Sequence, residues 1–139
     1  MRSLTAGLAL VAAFASCVAG DAVLVSGNPL DAVYIATLPN TDKTTVVGSI
    51  KAVSAPGGNG TNFQVSIAGL PTTGGPFSYH IHEYQVPSDG NCTGAGAHLD
   101  PSGEGDPAPA CSMSEPEKCQ VGDLSGKHGT MNGTDFSAK

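Results

Sequence analysis

The chain has 139 residues and a formal net charge of −6, which predicts one domain and excludes the basic surface of a nucleic-acid-binding protein. Its single arginine, Arg2, lies at the extreme N-terminus, and the acidic balance after it favours solubility without indicating a fold.

Residues 1–20 have the three-part layout of a secretory signal peptide. Arg2 supplies a positive start, residues 4–18 form an apolar run, and small residues follow as far as Gly20. The run is too short to span a bilayer. We therefore predict a leader over 1–20, an exported domain over 21–139, and a secreted or cell-surface location. The alternative is a buried N-terminal helix.

Three cysteines remain after this leader, and in an exported chain they are expected to be oxidised. The odd number leaves one without a partner inside the chain. The spacing of Cys111 and Cys119 allows a disulfide that closes a short loop, with Cys92 as the unpaired thiol. N-glycosylation triplets at three asparagines agree with export: Asn59, Asn91 and Asn132.

Short β-rich runs separated by glycine, proline, asparagine and aspartate predict an all-β domain, a sandwich or barrel. Strands are predicted over 31–38, 44–53, 62–70 and 76–84. In the third, apolar Phe63, Val65 and Ile67 alternate with polar residues, which is the period of a half-buried strand. Residues 87–117 have few large apolar side chains, and a loop of this length is usually functional or disordered.

The fourth predicted strand carries His80 and His82, two residues apart and so on one face. Two imidazoles side by side can bind copper, zinc, iron or nickel. A solvated strand face is the alternative for such a pair taken alone. A third histidine, His98, follows a glycine-rich loop with a cysteine, and that makes a metal site the better interpretation.

Three motifs together resemble the copper/zinc superoxide dismutase signature in order and spacing. They are YHIHE from Tyr79 to Glu83, CTGAGAHLDP from Cys92 to Pro101, and VGDL from Val121 to Leu124. The resemblance runs from about residue 31 to about residue 130. It implies a Greek-key β-barrel with loops that hold the metal, and superoxide as the substrate. By position, the implied copper ligands are His80, His82 and His98.

The resemblance is to the copper-only branch of that family, which in fungi is extracellular. Zinc-containing members need two further histidines and an aspartate. Asp123 matches the aspartate, but no histidine stands between His98 and His128. We therefore expect one copper ion and no zinc. A glutamate is expected where Gln120 stands, and the glutamine can hydrogen-bond a ligand imidazole without supplying a charge.

The resemblance also implies roles for two residues near the metal. His98 is the implied proton carrier, and Asp123 orients a ligand imidazole. A turn-forming aspartate after Gly122 is an equally good interpretation of Asp123. His128, flanked by Gly-Lys and Gly, is predicted to be a loop residue and not a replacement fourth ligand.

The family places a fourth copper histidine, an arginine and a second disulfide cysteine beyond the position matched by Lys139. We therefore expect an incomplete barrel and little dismutase activity in the 139-residue chain, with cell-wall or GPI attachment possible in a longer form. Two alternatives stay open: a catalytically inactive copper-binding or cell-wall glycoprotein on the same fold, and a structural glycoprotein with surface histidines.

Overall fold

The computed structural model describes residues 22–38, 42–106, 108 and 111–139. The predicted leader over 1–20 lies outside these residues. Four strands form one antiparallel sheet in the order β1-β2-β3-β4. They are β1 (Val33–Thr37), β2 (Val47–Ser54), β3 (Thr61–Ala68) and β4 (Asp135–Ala138). The first three are consecutive along the chain, and β4 returns to pair with β3 after residues 69–134.

The alternation predicted for the third strand is confirmed. Val65 and Ile67 are buried and Phe63 is half-buried, whereas Asn62 and Ser66 on the opposite face are exposed. Residues paired directly across the strands share a face, so the register extends this apolar face over the neighbouring strands. The hydrophobic pattern of β3 therefore determines which face of the sheet is turned towards the core.

A second layer of loops and one short helix covers this face. The helix is α1 (Leu124–His128), and three 3-10 turns lie at Pro56–Gly58, Cys92–Ala95 and Pro116–Lys118. The buried core joins the two layers through Val65, Ile67, Leu70, Tyr79, Leu124 and Met131. The cover stops before β1, where Tyr34 is on the same face but remains 73% exposed. The core is therefore concentrated over β3 and β4.

The prediction of a regular strand over 76–84 is wrong. The segment is extended, but its bridges are isolated ones, from Phe77 to Met131 and from His82 to His98. Its backbone hydrogen bonds are divided among several partners, because Phe77 pairs with Met131 while Ile81 bonds to Leu99 and Gly122. A local sequence pattern predicts that a segment is extended, but it does not predict how many other segments will form backbone hydrogen bonds with it.

Helix α1 and strand β4 were not predicted from the sequence. Both are short, five and four residues long, and neither offers enough residues for a periodic pattern. The helix depends on its N-cap, where the Asp123 side chain accepts a hydrogen bond from the Gly126 N–H. Within the described ranges, no helix has the length and apolar character required to cross a membrane.

Close approach of two backbones makes Gly69 a sensitive position. Its φ is +74°, and a Cβ there would collide with the carbonyl oxygen of Thr45. Gly60 has a similar φ of +81°, but a Cβ there would meet no atom within 4 Å, so it provides a matched control. We expect Gly60→Ala to cost about 1–2 kcal/mol of unfolding free energy from backbone strain alone.

Gly69→Ala should cost about 1–3 kcal/mol more than Gly60→Ala, because overpacking is added to the same strain. Urea denaturation of both variants measures the difference. Equal losses of stability would contradict the close approach of Gly69 to Thr45.

Candidate metal centre

Three backbone segments that are distant in sequence meet in a closed ring of hydrogen bonds. Ile81 N–H donates to the Gly122 carbonyl at 2.8 Å, Gly122 N–H donates to the Leu99 carbonyl at 2.7 Å, and Leu99 N–H donates to the Ile81 carbonyl at 2.9 Å. Gly122 is buried, and a Cβ there would collide with the Ile81 carbonyl oxygen. The ring therefore requires glycine at this position.

A second contact fixes helix α1 to the same region. The Ser125 hydroxyl accepts from the Tyr79 N–H at 2.6 Å and donates to the Tyr79 carbonyl at 3.1 Å, and the Ser125 N–H donates to that carbonyl at 3.2 Å. Tyr79 and Ser125 are both buried. Because His80 follows Tyr79 directly, this contact sets the position of His80 relative to Asp123, the N-cap of α1.

The three predicted histidine ligands are brought together by this framework. The rings of His80 and His98 are stacked, with centroids 4.0 Å apart and an interplanar angle of 15°. The ring of His82 meets that of His98 edge-on, with a centroid distance of 5.2 Å. His80 and His98 are half-buried and His82 is exposed. The site is therefore open to solvent on the His82 side.

Hydrogen-bond partners fix the tautomers of His82 and His98. His82 Nδ1 lies 3.0 Å from the Gly96 carbonyl oxygen, and His98 Nδ1 lies 2.8 Å from Oε1 of Gln120. A carbonyl oxygen only accepts, so both Nδ1 atoms carry the proton. The Nε2 lone pair of each ring is therefore left available to a metal ion.

Asp100 supports the orientation of the Gln120 amide. Burial by itself would raise the pKa of Asp100, but hydrogen bonds from the backbone of Gly105, Glu104 and Gly103 and from the Gln120 side chain outweigh it and lower that pKa. A carboxylate only accepts, so the amide nitrogen of Gln120 faces Asp100 and its oxygen faces His98. Gln120 is only 4% exposed. This link between Asp100 and His98 was missed from sequence.

His80 favours the opposite tautomer to that of His82 and His98. Its Nε2 lies 3.4 Å from Oδ1 of Asp123, and a carboxylate facing this nitrogen favours the tautomer with the proton on Nε2. Burial first, and then the neighbouring His98, lowers the pKa of His80, although Asp123 opposes this shift. The ring is therefore favoured in its neutral form, with Nδ1 available to a metal ion.

The residues present fit copper. Three imidazoles, each with one nitrogen outside these hydrogen-bond contacts, suit a copper ion. In the described part of the chain, however, no three histidine, cysteine, aspartate or glutamate side chains form a ready-made metal-binding group. The rings of His80 and His98 are stacked on each other. A single ion held by all three rings requires these two rings to separate.

A second metal bridged through His98 does not fit the same contacts. A bridging imidazolate has no proton on either nitrogen, whereas Nδ1–H of His98 donates a hydrogen bond to the Gln120 oxygen. Asp123, the residue matched to a zinc ligand, already uses Oδ1 for the Gly126 N–H and for His80. These contacts would have to be broken before a zinc ion could bridge through His98.

The other predicted residues lie outside this cluster. His128 is exposed at the end of α1 and lines a different surface cavity together with Met113 and Lys127. The Cys111–Cys119 disulfide is present, and Cys92 is a free, exposed cysteine, which confirms the predicted pairing. The three asparagines predicted to be glycosylated are all exposed: Asn59, Asn91 and Asn132.

Comparison with known proteins agrees with this geometry. The chain is 41% identical over 116 residues to cell surface superoxide dismutase [Cu-Zn] 6 of Candida albicans, covering 83% of this chain and 35% of that protein. It is 37% identical to a cell surface Cu-only superoxide dismutase of Arthroderma benhamiae, covering 80% of this chain and 36% of the relative. No protein-family model matches the sequence.

A solved structure supports the same relationship. The Cu(II) form of Candida albicans superoxide dismutase 5 superposes with a TM-score of 0.66 at 34% identity, covering 76% of this chain and 65% of the solved one. The homologues of this chain are fungal cell-surface superoxide dismutases. The predicted all-β class is confirmed, and the single four-stranded sheet together with this match is consistent with the predicted incomplete barrel. The chain spans about a third to a half of the length of these curated relatives.

We predict that Gln120→Met frees the tautomer of His98 in the metal-free protein. Methionine keeps a similar shape but provides no strong acceptor for the Nδ1 proton, so His98 should become a mixture of tautomers. His82, held by the Gly96 carbonyl, is the internal control and should keep its Nδ1 proton. Long-range ¹H–¹⁵N NMR of the imidazoles measures both, and an unchanged His98 signal would contradict the role of Gln120.

We predict that the metal-free protein loses stability on acidification partly through His80. Its folded pKa lies below the ordinary 6.5, mainly because of burial. Between these two pKa values the unfolded chain binds more protons than the folded one, so stability falls as the pH decreases through this window. His80→Gln should make the curve of unfolding free energy against pH flatter below pH 6.5. Parallel curves for the two proteins would contradict this.

Proposed function

We propose that this domain carries the copper site of an extracellular, copper-only superoxide dismutase that acts in antioxidant defence at the fungal cell surface. The observation that supports this most is the convergence of His80, His82 and His98, each with one oriented and one available nitrogen. The names of the relatives, among them cell surface Cu-only superoxide dismutase 5 of Candida albicans at 36% identity, support the same metal and location.

Copper bound at this site would accept an electron from one superoxide, which leaves as dioxygen, and return it to a second, which takes up two protons and leaves as hydrogen peroxide. The protein's contribution is to hold three imidazoles in defined tautomers and leave one side open. Exposed His82 marks the side from which a small anion reaches the site. Because Gln120 holds the Nδ1 proton of His98, Nε2 is the atom at which His98 can take up or release a proton.

A catalytically inactive copper-binding or cell-wall glycoprotein is the second candidate. It is favoured by one observation: among the described residues, His80, His82 and His98 cluster, whereas exposed His128 does not join them. Three imidazoles can hold copper without turnover. Copper binding therefore tests the site, and superoxide decay distinguishes the enzyme from the binding protein.

We predict that the protein binds one Cu(II) ion with a tetragonal, nitrogen-ligated electron paramagnetic resonance spectrum. The spectrum should be lost in the His80→Ala/His82→Ala double variant, because two of the three donors are removed. His128→Ala is the matched control and should leave copper affinity nearly unchanged, since that side chain is exposed and lies in a separate cavity. Zinc should add no second site beside copper.

The same proteins separate the candidate functions. An unchanged Cu(II) spectrum in the double variant, or a large loss of affinity in His128→Ala, would overturn the site. Superoxide decay is then followed with the copper-loaded full-length gene product and its double variant. Activity in the first and none in the second is the result expected of the enzyme, whereas bound copper without turnover would favour the binding protein.

A further inference from the structure

The residues that orient two of the three histidines are the two ends of one tight turn. Gln120 accepts from His98 and Asp123 faces His80, and the Asp123 N–H donates to the Gln120 carbonyl at 3.0 Å. The middle of this turn is Gly122, a member of the hydrogen-bonded ring. A small displacement of the turn would therefore affect His80 and His98 together.

The Cys111–Cys119 disulfide lies against both ends of this turn. Cys119 is 0% exposed and directly precedes Gln120 in the chain. The Cys111 sulfur lies 3.6 Å from Oδ2 of Asp123. A disulfide sulfur carries no hydrogen, so this contact is packing and not a hydrogen bond. One covalent link thus adjoins both orienting residues.

We propose that the Cys111–Cys119 disulfide is a positioning element of the metal site, holding Gln120 and Asp123 where they orient His98 and His80. The inference rests on the proposed copper site for its functional meaning. The effect of the disulfide on the two histidines, however, can be tested in the metal-free protein. Partners that orient metal ligands typically change metal affinity by 10–100-fold when they are removed.

His82 is an internal control that distinguishes positioning of the metal site by the disulfide from general stabilisation of the fold. Its Nδ1 proton is held by the carbonyl oxygen of Gly96, a residue that belongs neither to the disulfide loop nor to the turn. If the disulfide positions the orienting residues, its removal should change the tautomers of His80 and His98 and leave the tautomer of His82 unchanged. A disulfide that only stabilises the fold would leave all three rings unchanged in the folded protein, or disturb all three together.

The test compares a Cys111→Ala/Cys119→Ala double variant with Cys92→Ala, which removes a free, exposed cysteine. Long-range ¹H–¹⁵N NMR reports the tautomer of each imidazole in the metal-free proteins. We expect the signals of His80 and His98 to lose their fixed tautomers in the double variant while His82 keeps its own. Copper affinity should fall about tenfold or more, by analogy with other orienting partners.

Gly126→Ala provides a second variant with the disulfide intact, should the double variant fail to fold. A Cβ at this position would collide with both the Cys111 sulfur and the Asp123 carboxylate. It should displace Asp123 and therefore disturb His80 more than His98. Gly75→Ala, where the nearest atoms to a Cβ belong to the Phe77 ring and not to the disulfide or Asp123, is the control.

Unchanged tautomers in every variant, or equal changes in all three histidines, would overturn the inference. These outcomes do not depend on copper. If the parent protein bound no copper while His80 and His98 changed selectively, the proposed function would fail and the positioning role of the disulfide would stand.

Discussion

The three hydrogen bonds among Ile81, Leu99 and Gly122 are the constraint on which the candidate site depends. Each belongs to a different segment, and each segment carries part of the site. Ile81 lies between two of the histidines, Leu99 follows the third, and Gly122 lies in the turn that supplies the orienting residues. Because the ring closes on itself, no segment can shift without breaking one of its hydrogen bonds, and the cost is greatest at buried Gly122, where an unsatisfied group costs about 1–3 kcal/mol.

Around this ring, the side-chain contacts have a clear division of roles. Carbonyl oxygens, from Gly96 and Gln120, place protons on Nδ1 of two imidazoles, whereas a carboxylate from Asp123 favours the proton on Nε2 of His80. The rings consequently offer different nitrogens to an ion. The same contacts oppose a second metal bridged through His98, since the hydrogen bond from Nδ1 of His98 to Gln120 would have to be lost.

The sheet and the site are connected through the second layer. The inner face of β3 is covered by Tyr79 and Leu124, and these residues lie directly beside His80 and Asp123 in the chain. Burial of the apolar neighbour therefore positions the polar residue next to it. Ser125 strengthens this connection by exchanging hydrogen bonds with the backbone of Tyr79. Packing of the core and orientation of the metal ligands are thus two consequences of the same contacts.

Alternation, residue type and motif spacing are local properties, so the first three strands, the buried face of β3, the grouping of three histidines and the Cys111–Cys119 disulfide were all predictable from the sequence. Three features emerged only from the folded chain: residues 76–84 share their hydrogen bonds among several segments, β4 pairs with β3, and Asp100 acts on His98 through Gln120. These features depend on contacts between residues far apart in the chain, and a local pattern carries no information about which distant backbone group will supply the partner.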